Sequence, residues 1–467
     1  SSKFGSSQLV HSCQNEVNDR ACKTLPAKMV AETRGEVKNG SQTDELKADF
    51  MHAIRLIWNG PLLGLFIVLG LEIFGAAMTF PVFAFFVIHE LELSATSMGA
   101  IGSCFNLAQA IGSPIFGRVS DALGRKWVML SCFAWSSLCF AGTYFVQGFY
   151  DLLFVRMLAG LSGGSIPVAS AMIMDVASVA ERPQLLGIKG ACFGLCFTSG
   201  PMVVVLLLTL GVLTERRNIF ILAALFCFLS FVVSCFILKE SLPPEKRRAL
   251  CGAKREENRR ILMEHGDEWS CVNAGMVCVW LTRFFYAFAT YTLFTTYSFV
   301  IKDNFGWSDK ELGMMLGFAG VSEGLLGVFL YPTVDKKLGE HLVCAVGFAV
   351  MACSLLFVPS QLVSIHLLAF FGFQFGQCFA EPGVINLVGF HCPSERHMGF
   401  AQGMGNGFRS FSSVLAPITA GTLYDIKPLY AYACASAMAC VATIFVLAAR
   451  SLHAPAGPEK EALMKEG

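Results

Sequence analysis

Apolar runs of about 20 residues recur along this chain, and that recurrence restricts its fold more than any other feature. A bilayer core about 30 Å thick is crossed by about 20 apolar residues in a helix. In lipid, only helices and closed barrels satisfy their own backbone hydrogen bonds. The runs lie near 58–89, 93–117, 127–147, 150–176, 184–211 and 217–238, then near 272–301, 308–332, 341–359, 362–389, 396–424 and 428–449. The chain is 54% hydrophobic and only 15% charged, against roughly 25% charged in soluble domains. These numbers predict an all-α membrane protein with twelve transmembrane helices.

The runs fall into two sets of six, separated by the longest polar stretch inside the chain, "LKESLPPEKRRALCGAKREENRRILMEHGDEWS". The expected organisation is a polar tail over 1–55, a six-helix bundle over 56–238, a basic linker over 239–270, a second bundle over 271–450 and a short tail over 451–467. Cytoplasmic links are enriched in Lys and Arg. Eight lie between Lys239 and Arg260, whereas the opposite side carries Arg216, Arg217, Lys302, Lys310 and Lys427. Both termini and the linker are therefore expected in the cytoplasm, and the polar N-terminal tail is not expected to be a secretory signal, since it lacks the apolar core of one. A shift of 214 residues places Ser94, Gly99 and Asp121 on Ser308, Gly313 and Asp335, and Glu181-Arg182 on Glu395-Arg396. At a shift of 216, Gly200-Pro201 meets Ala416-Pro417. Shared landmarks in two halves are the mark of a parallel-repeat transporter, so the bundles are expected to be pseudo-symmetric.

Composition also excludes function classes. A net charge of +1, with basic residues in loops, argues against a nucleic-acid partner. The 18 Cys are scattered through apolar runs without CxxC pairs or zinc-ligand spacing, so they read as small buried hydrophobes and no metal site is expected. His391 and His397, flanking "CPSER", read as solvated link residues. There is no P-loop lysine and no nucleophile motif, so neither an enzyme nor a cofactor is expected. The C-terminal "EKEALM" is similar to an acidic dileucine-like sorting signal.

Between the second and third runs lies "GSPIFGRVSDALGRKWVML". Gly117, Asp121, Gly124, Arg125 and Lys126 sit there at fixed spacing, glycines allowing close approach and tight turning. Asp121 can pair with Arg or a helix N-terminus, as a charged latch. The stretch resembles the loop 2–3 signature of the major facilitator superfamily, G-x-L-x-D-R-x-G-R-K-x-x-x-L, departing at Ala122. "YPTVDKKLGEH" is a degraded copy that keeps Asp335. Arg156 four residues before Gly160 is similar to the R-x-x-x-G signature of proton-coupled members. Glu72 nine residues before Pro81 resembles the spacing of tetracycline-exporter-like drug:proton antiporters. In "GIKGACFGLCFTSGPMVVV", Gly187, Gly200 and Pro201 match the antiporter signature of helix five, while Cys196, Val204 and Val205 replace glycines. The resemblance implies the major facilitator fold, a cytoplasmic gate at Asp121, Gly124 and Arg125, and a bend in helix five.

An ionisable residue within a membrane helix costs about 2.5–3.5 kcal/mol on insertion scales. Glu72, Arg156, Glu323, Glu381 and Arg409 are such residues, while Arg283 lies nearer a helix end and is expected to snorkel. An apolar setting disfavours a charged carboxylate, so Glu72 can exchange a proton, and a movable pair with Arg156 would suffice for coupling. Glu323 falls on Gln109 under the 214-residue shift, a polar position kept in both halves. Glu381 precedes Pro382, where a freed carbonyl leaves room for water. Arg409 can pair with either Glu or take an anionic substrate. Tyr286, Tyr291 and Tyr297 are candidates for an aromatic substrate cage. The expected function is secondary transport by alternating access, by a monomer in the bilayer; the resemblance implies proton-coupled export of a small amphipathic organic molecule, with Glu72 and Arg156 as the coupling pair. The alternatives are a uniporter or proton symporter of a small metabolite, or a non-transporting receptor or scaffold of the same fold.

Overall fold

The computed structural model describes residues 62–178, 181–213, 215–242, 247, 272–392 and 397–452. The expected N-terminal tail, most of the basic linker, Glu395-Arg396 and the sorting-like signal lie outside the described residues. The described chain forms twelve spans. The first six are α1 (Leu62–Phe85, continued by a π-helical turn Phe86–Glu90), α2 (Ala95–Leu123), α3 (Arg125–Tyr144), α4 (Phe149–Leu161 and Ser165–Val176), α5 (Arg182–Thr209) and α6 (Arg217–Ile237). The second six are α7 (Ala274–Phe305), α8 (Asp309–Phe329, then Tyr331–Leu338), α9 (Glu340–Phe357), α10 (Val363–His391), α11 (Met398–Ile426) and α12 (Pro428–Ser451). The expected spans match these closely. Two details differ: α4 breaks at 162–164, and α8 runs on through the expected link.

The halves repeat the same internal neighbours. In the first, α1 packs on α5 and α6, α3 on α6, and α2 on α4; in the second, α7 packs on α11 and α12, α9 on α12, and α8 on α10. The repeated landmarks explain the register. Ser94 caps α2 by accepting from the Ser97 amide, and Ser308 forms a capping box with Glu311 on α8. Each leaves fewer orphan amides at a helix start.

Contact between the halves is crosswise, α2 on α11 and α5 on α8. Gly99 of α2 presses on the backbone of Pro417, and Gly313 of α8 faces the Pro201 carbonyl and Val205 of α5. The glycine of one repeat thus meets the proline of the other, twice. Small residues of this kind let membrane helices approach closely. Val205, which departs from the glycine pattern of helix five, is accommodated because Gly313 supplies the missing room.

The same end carries the polar links between halves. Asp425 accepts from the amides of Ala95 and Thr96 at 3.2 and 2.9 Å, the favoured place for an anion at a helix N-terminus. Asn106 donates to the Ser413 carbonyl at 2.8 Å, and Ile418 N donates to Ser103 Oγ at 3.1 Å. Arg216 pairs with Asp309 at 2.8 Å. At the other end, toward the linker, Gly187, Gly190 and Gly194 of α5 and Gly399, Gly403 and Gly407 of α11 have no neighbour among the described residues that an added Cβ would meet within 4 Å. Among the described residues, the halves are joined at the first end and these two glycine rows stand open at the other.

Candidate functional site

The signature stretch folds as one charged knot. A single residue, Gly124 at φ 109°, separates α2 from α3, in a conformation that strongly favours glycine. Gly117 lies inside α2 with open space beside it, so the turn is made by Gly124 alone and not by paired glycines. Arg125 is the hub: its guanidinium holds Asp121 at 2.7 Å and Asp175 at 3.0 Å, and donates to Ser120 Oγ at 2.6 Å. Glu240, just past α6, accepts from the amides of Arg125 and Lys126. Lys126 donates to the Cys235 carbonyl. Sequence reasoning missed Asp175 and Glu240, each a lone acid at the end of an apolar run. Every one of these partners belongs to the first half. The expected pairing of Asp121 with an Arg is present, and the latch fastens four helices of one half, α2, α3, α4 and α6, where two were expected.

The copy in the second half is built differently. Gly339, at φ 78°, makes the corresponding turn, but it is followed by Glu340 where Gly124 is followed by Arg125. Asp335 and Glu340 each keep a buried oxygen without a hydrogen-bond partner among the described residues. The hub has been lost while the turn persists.

Among the intramembrane charges, the structure joins one expected pair and keeps another apart. Glu381 of α10 pairs with Arg409 of α11 at 3.0 Å and accepts from the Tyr286 hydroxyl of α7 at 2.5 Å. These three side chains, with Tyr291 and Gln377, wall a cavity of about 120 Å³. Arg409 is the more exposed partner, at 42% against 30% for Glu381. Glu323 of α8 feels the charge of Glu381, and its carbonyl accepts from Cys378. Arg283 does not snorkel: it is 6% exposed and donates to Gln402 at 3.1 Å, because Gly405 leaves room beside α11 for its guanidinium. Tyr297 is not part of a cage; it is buried against His366 and Phe370 in the core.

Glu72 and Arg156 are not paired. Glu72 is 8% exposed, accepts from Ser136 at 3.3 Å and lies beside Ser165. Arg156 stacks on Phe83, 3.6 Å from the ring centroid. Phe83 is eleven residues beyond Glu72 on α1, roughly 16 Å along the helix axis. The 214-residue shift gives the reason: Arg156 and Phe83 fall on Phe370 and Tyr297, which stack at 4.7 Å in the other half. Arg156 occupies the place of a packing ring, and its charge rests on the ring face. Gln109 lies against Gly163 at the break in α4, away from the cavity. Of the residues of helix five, Gly200 presses on the backbone of α1 at Ala77 and Met78, Pro201 faces Gly313, and Gly187 is in open space. His391 is likewise no solvated residue: it is 1% exposed, with its ring nitrogen 2.9 Å from that of His341.

Known proteins share this fold and family. The family model described as Major Facilitator Superfamily matches residues 65–264 and 279–466. Multidrug resistance protein 2 of Bacillus subtilis is 26% identical over 382 residues, covering 79% of this chain and 90% of that protein. Quinolone resistance protein NorA of Staphylococcus aureus is 23% identical over 367 residues, 76% of this chain and 88% of its own. The crystal structure of the human organic anion transporter MFSD10 superposes with a TM-score of 0.60 at 20% identity, over 82% of this chain and 98% of that one.

Proposed function

The chain belongs to the major facilitator superfamily, and from that premise we propose that it exports small amphipathic organic molecules in exchange for protons. The observation that carries this reading is the Tyr286–Glu381–Arg409 triad on the wall of the cavity. A carboxylate in that position has two competing partners. Ionised, it holds Arg409 and Tyr286, or a donor group of the substrate; protonated, it releases them. Competition between substrate and proton for one carboxylate is a sufficient basis for exchange. Glu72 acts as a separate proton carrier on α1, without help from Arg156.

In this reading both termini and the linker are cytoplasmic, so the end with the open glycine rows faces the cytoplasm and loads substrate there. The gate closes when the α5 and α11 glycine rows come together with the opposite half. The relatives named as multidrug and quinolone resistance proteins support export of organic molecules of this kind.

The test is reconstitution of the full chain in liposomes with an internal pH dye and a panel of cationic, neutral and anionic amphiphiles. Substrate-driven proton flux is expected in the wild type and should be abolished in Glu381→Gln, with substrate binding weakened and no longer dependent on pH. Glu72→Gln should slow the flux without loss of binding. Transport that moves no protons, and is unchanged in both variants, would leave a uniporter as the better description.

A further inference from the structure

We infer that Gln377 reads the substrate, and that this cavity seats an aromatic group carrying a hydrogen-bond donor, an amine or a hydroxyl. The inference rests on the transporter reading above and names the substrate class of the same site. Gln377 lies on α10, one turn before Glu381, and is 8% exposed. Its Oε1 is buried and has no hydrogen-bond partner among the described residues. It lines the cavity with Thr290, Tyr291 and Phe294 on one side of α7.

A buried carboxamide oxygen left without a donor is costly. It accepts from N–H or O–H groups, and none of the donors that share the cavity wall, Thr290, Tyr291 and Arg409 among them, bonds to it. A donor on the substrate fills that vacancy. The space is near the size that holds one benzene ring, about 150 Å³, and Tyr291 and Phe294 offer ring faces and edges for it.

The repeat argues against a purely structural carboxamide. Under the 214-residue shift, Gln374 and Gln377 fall on Gly160 and Gly163. There the glycines let α4 press on α2, at the Phe105 carbonyl and the Gln109 side chain. The fold at this position is therefore satisfied by a residue with no side chain. The carboxamide is an addition in the half that also carries Glu381 and Arg409.

The test uses two acridine dyes on the full chain in proteoliposomes. Proflavine carries a primary amine on each outer ring, so one amine-bearing ring of benzene size enters the cavity while the rest of the dye lies at its mouth; acridine orange has the same ring system with dimethylamino groups in their place. Binding is read by dye fluorescence, and proton flux by an internal pH dye. Gln377→Leu keeps the side-chain size and removes an unsatisfied acceptor, so folding is retained. It should weaken proflavine binding by about tenfold and change acridine orange by less than about twofold. Gln377→Asn, which retracts the amide by one methylene, should fall between wild type and Leu for proflavine. Equal losses for both dyes, no loss for proflavine, or binding of neither dye would overturn the inference. If the binding difference is found but neither dye moves protons, the inference stands and the proton-exchange reading falls.

Discussion

Replacing Gly99 by valine tests whether the contact of α2 with α11 sets the conformation of the whole molecule. A Cβ at residue 99 runs into the Pro417 carbonyl and lies 3.0 Å from the Cα of Ile418. Both obstacles are backbone, so no rotamer change relieves them and the helices must part. Parting also strains the Asp425 bonds to Ala95 and Thr96 and the Ser103 bond to Ile418. Overpacking costs about 1–3 kcal/mol, and weakening one charge-assisted hydrogen bond adds about 1 kcal/mol. The sum of about 2–4 kcal/mol falls only on the state closed at this end, which shifts the two-state ratio by about 30- to 900-fold. Hydrogen–deuterium exchange on the purified protein reads the outcome. Amides in 198–209 and 309–320, at the other crossing, should exchange faster because this end opens as a unit, while 187–194 and 399–407 become protected. Gly403→Leu, which adds bulk to an open row, should be silent in the present state and block the opposite one. Unchanged exchange at 198–209 and 309–320 in a folded Gly99→Val protein would refute the reasoning.

Two further perturbations probe the charged clusters. Arg125→Ala leaves Asp121 and Asp175 facing each other without their shared cation, and should cost about 3–5 kcal/mol, seen as a lower midpoint in thermal or denaturant unfolding; Arg125→Lys should recover only part, since an ammonium lacks the fork that holds two carboxylates. Asp309→Asn weakens the ion pair to Arg216, which is 31% exposed, so about 1 kcal/mol is expected. It should speed exchange at 309–320 with little loss of global stability, and adding Arg216→Gln should have no further effect.

The spans were legible in the sequence because bilayer thickness fixes their length. Yet only eight helices are apolar enough on their own to cross a membrane by length and composition, and α2, α3, α8 and α11 fall short among the described residues. Three of these four, α2, α8 and α11, form the contact between halves, and the Gly, Ser and Asn they spend on close approach lower their hydropathy. The looser scan for apolar runs included these four, and the internal repeat agrees with six spans in each half. The repeat also marked Gly99, Gly313, Pro201 and Pro417, although their crosswise meeting needs three dimensions. Glu381, Arg409 and Tyr286 were each recognisable as polar groups in apolar runs. Their union was not, since they come from three helices up to 123 residues apart. Glu72 and Arg156 failed in the opposite direction: the residue types suited a pair, but helix rise put three turns between them.

The comparison of the halves separates what the motion needs from what the chemistry needs. Helix neighbours, capping serines, positive-φ glycines and crosswise contacts occur twice, and a rocking motion between two bundles requires that duplication. The reactive groups occur once. Glu72 falls on Tyr286, Arg156 on Phe370, Arg125 one residue past the counterpart of Gly339, and the carboxamides of Gln374 and Gln377 on glycines. Each ionisable group in a membrane helix costs about 2.5–3.5 kcal/mol on insertion scales, so a second copy of the Glu381–Arg409 pair would add cost without adding a new binding mode. In the proposed exchange, one carboxylate visited by proton and substrate in turn is enough, provided that the frame around it opens to both sides. On this argument symmetry belongs to the gate and asymmetry to the site, and the place to look for selectivity is where the two halves disagree.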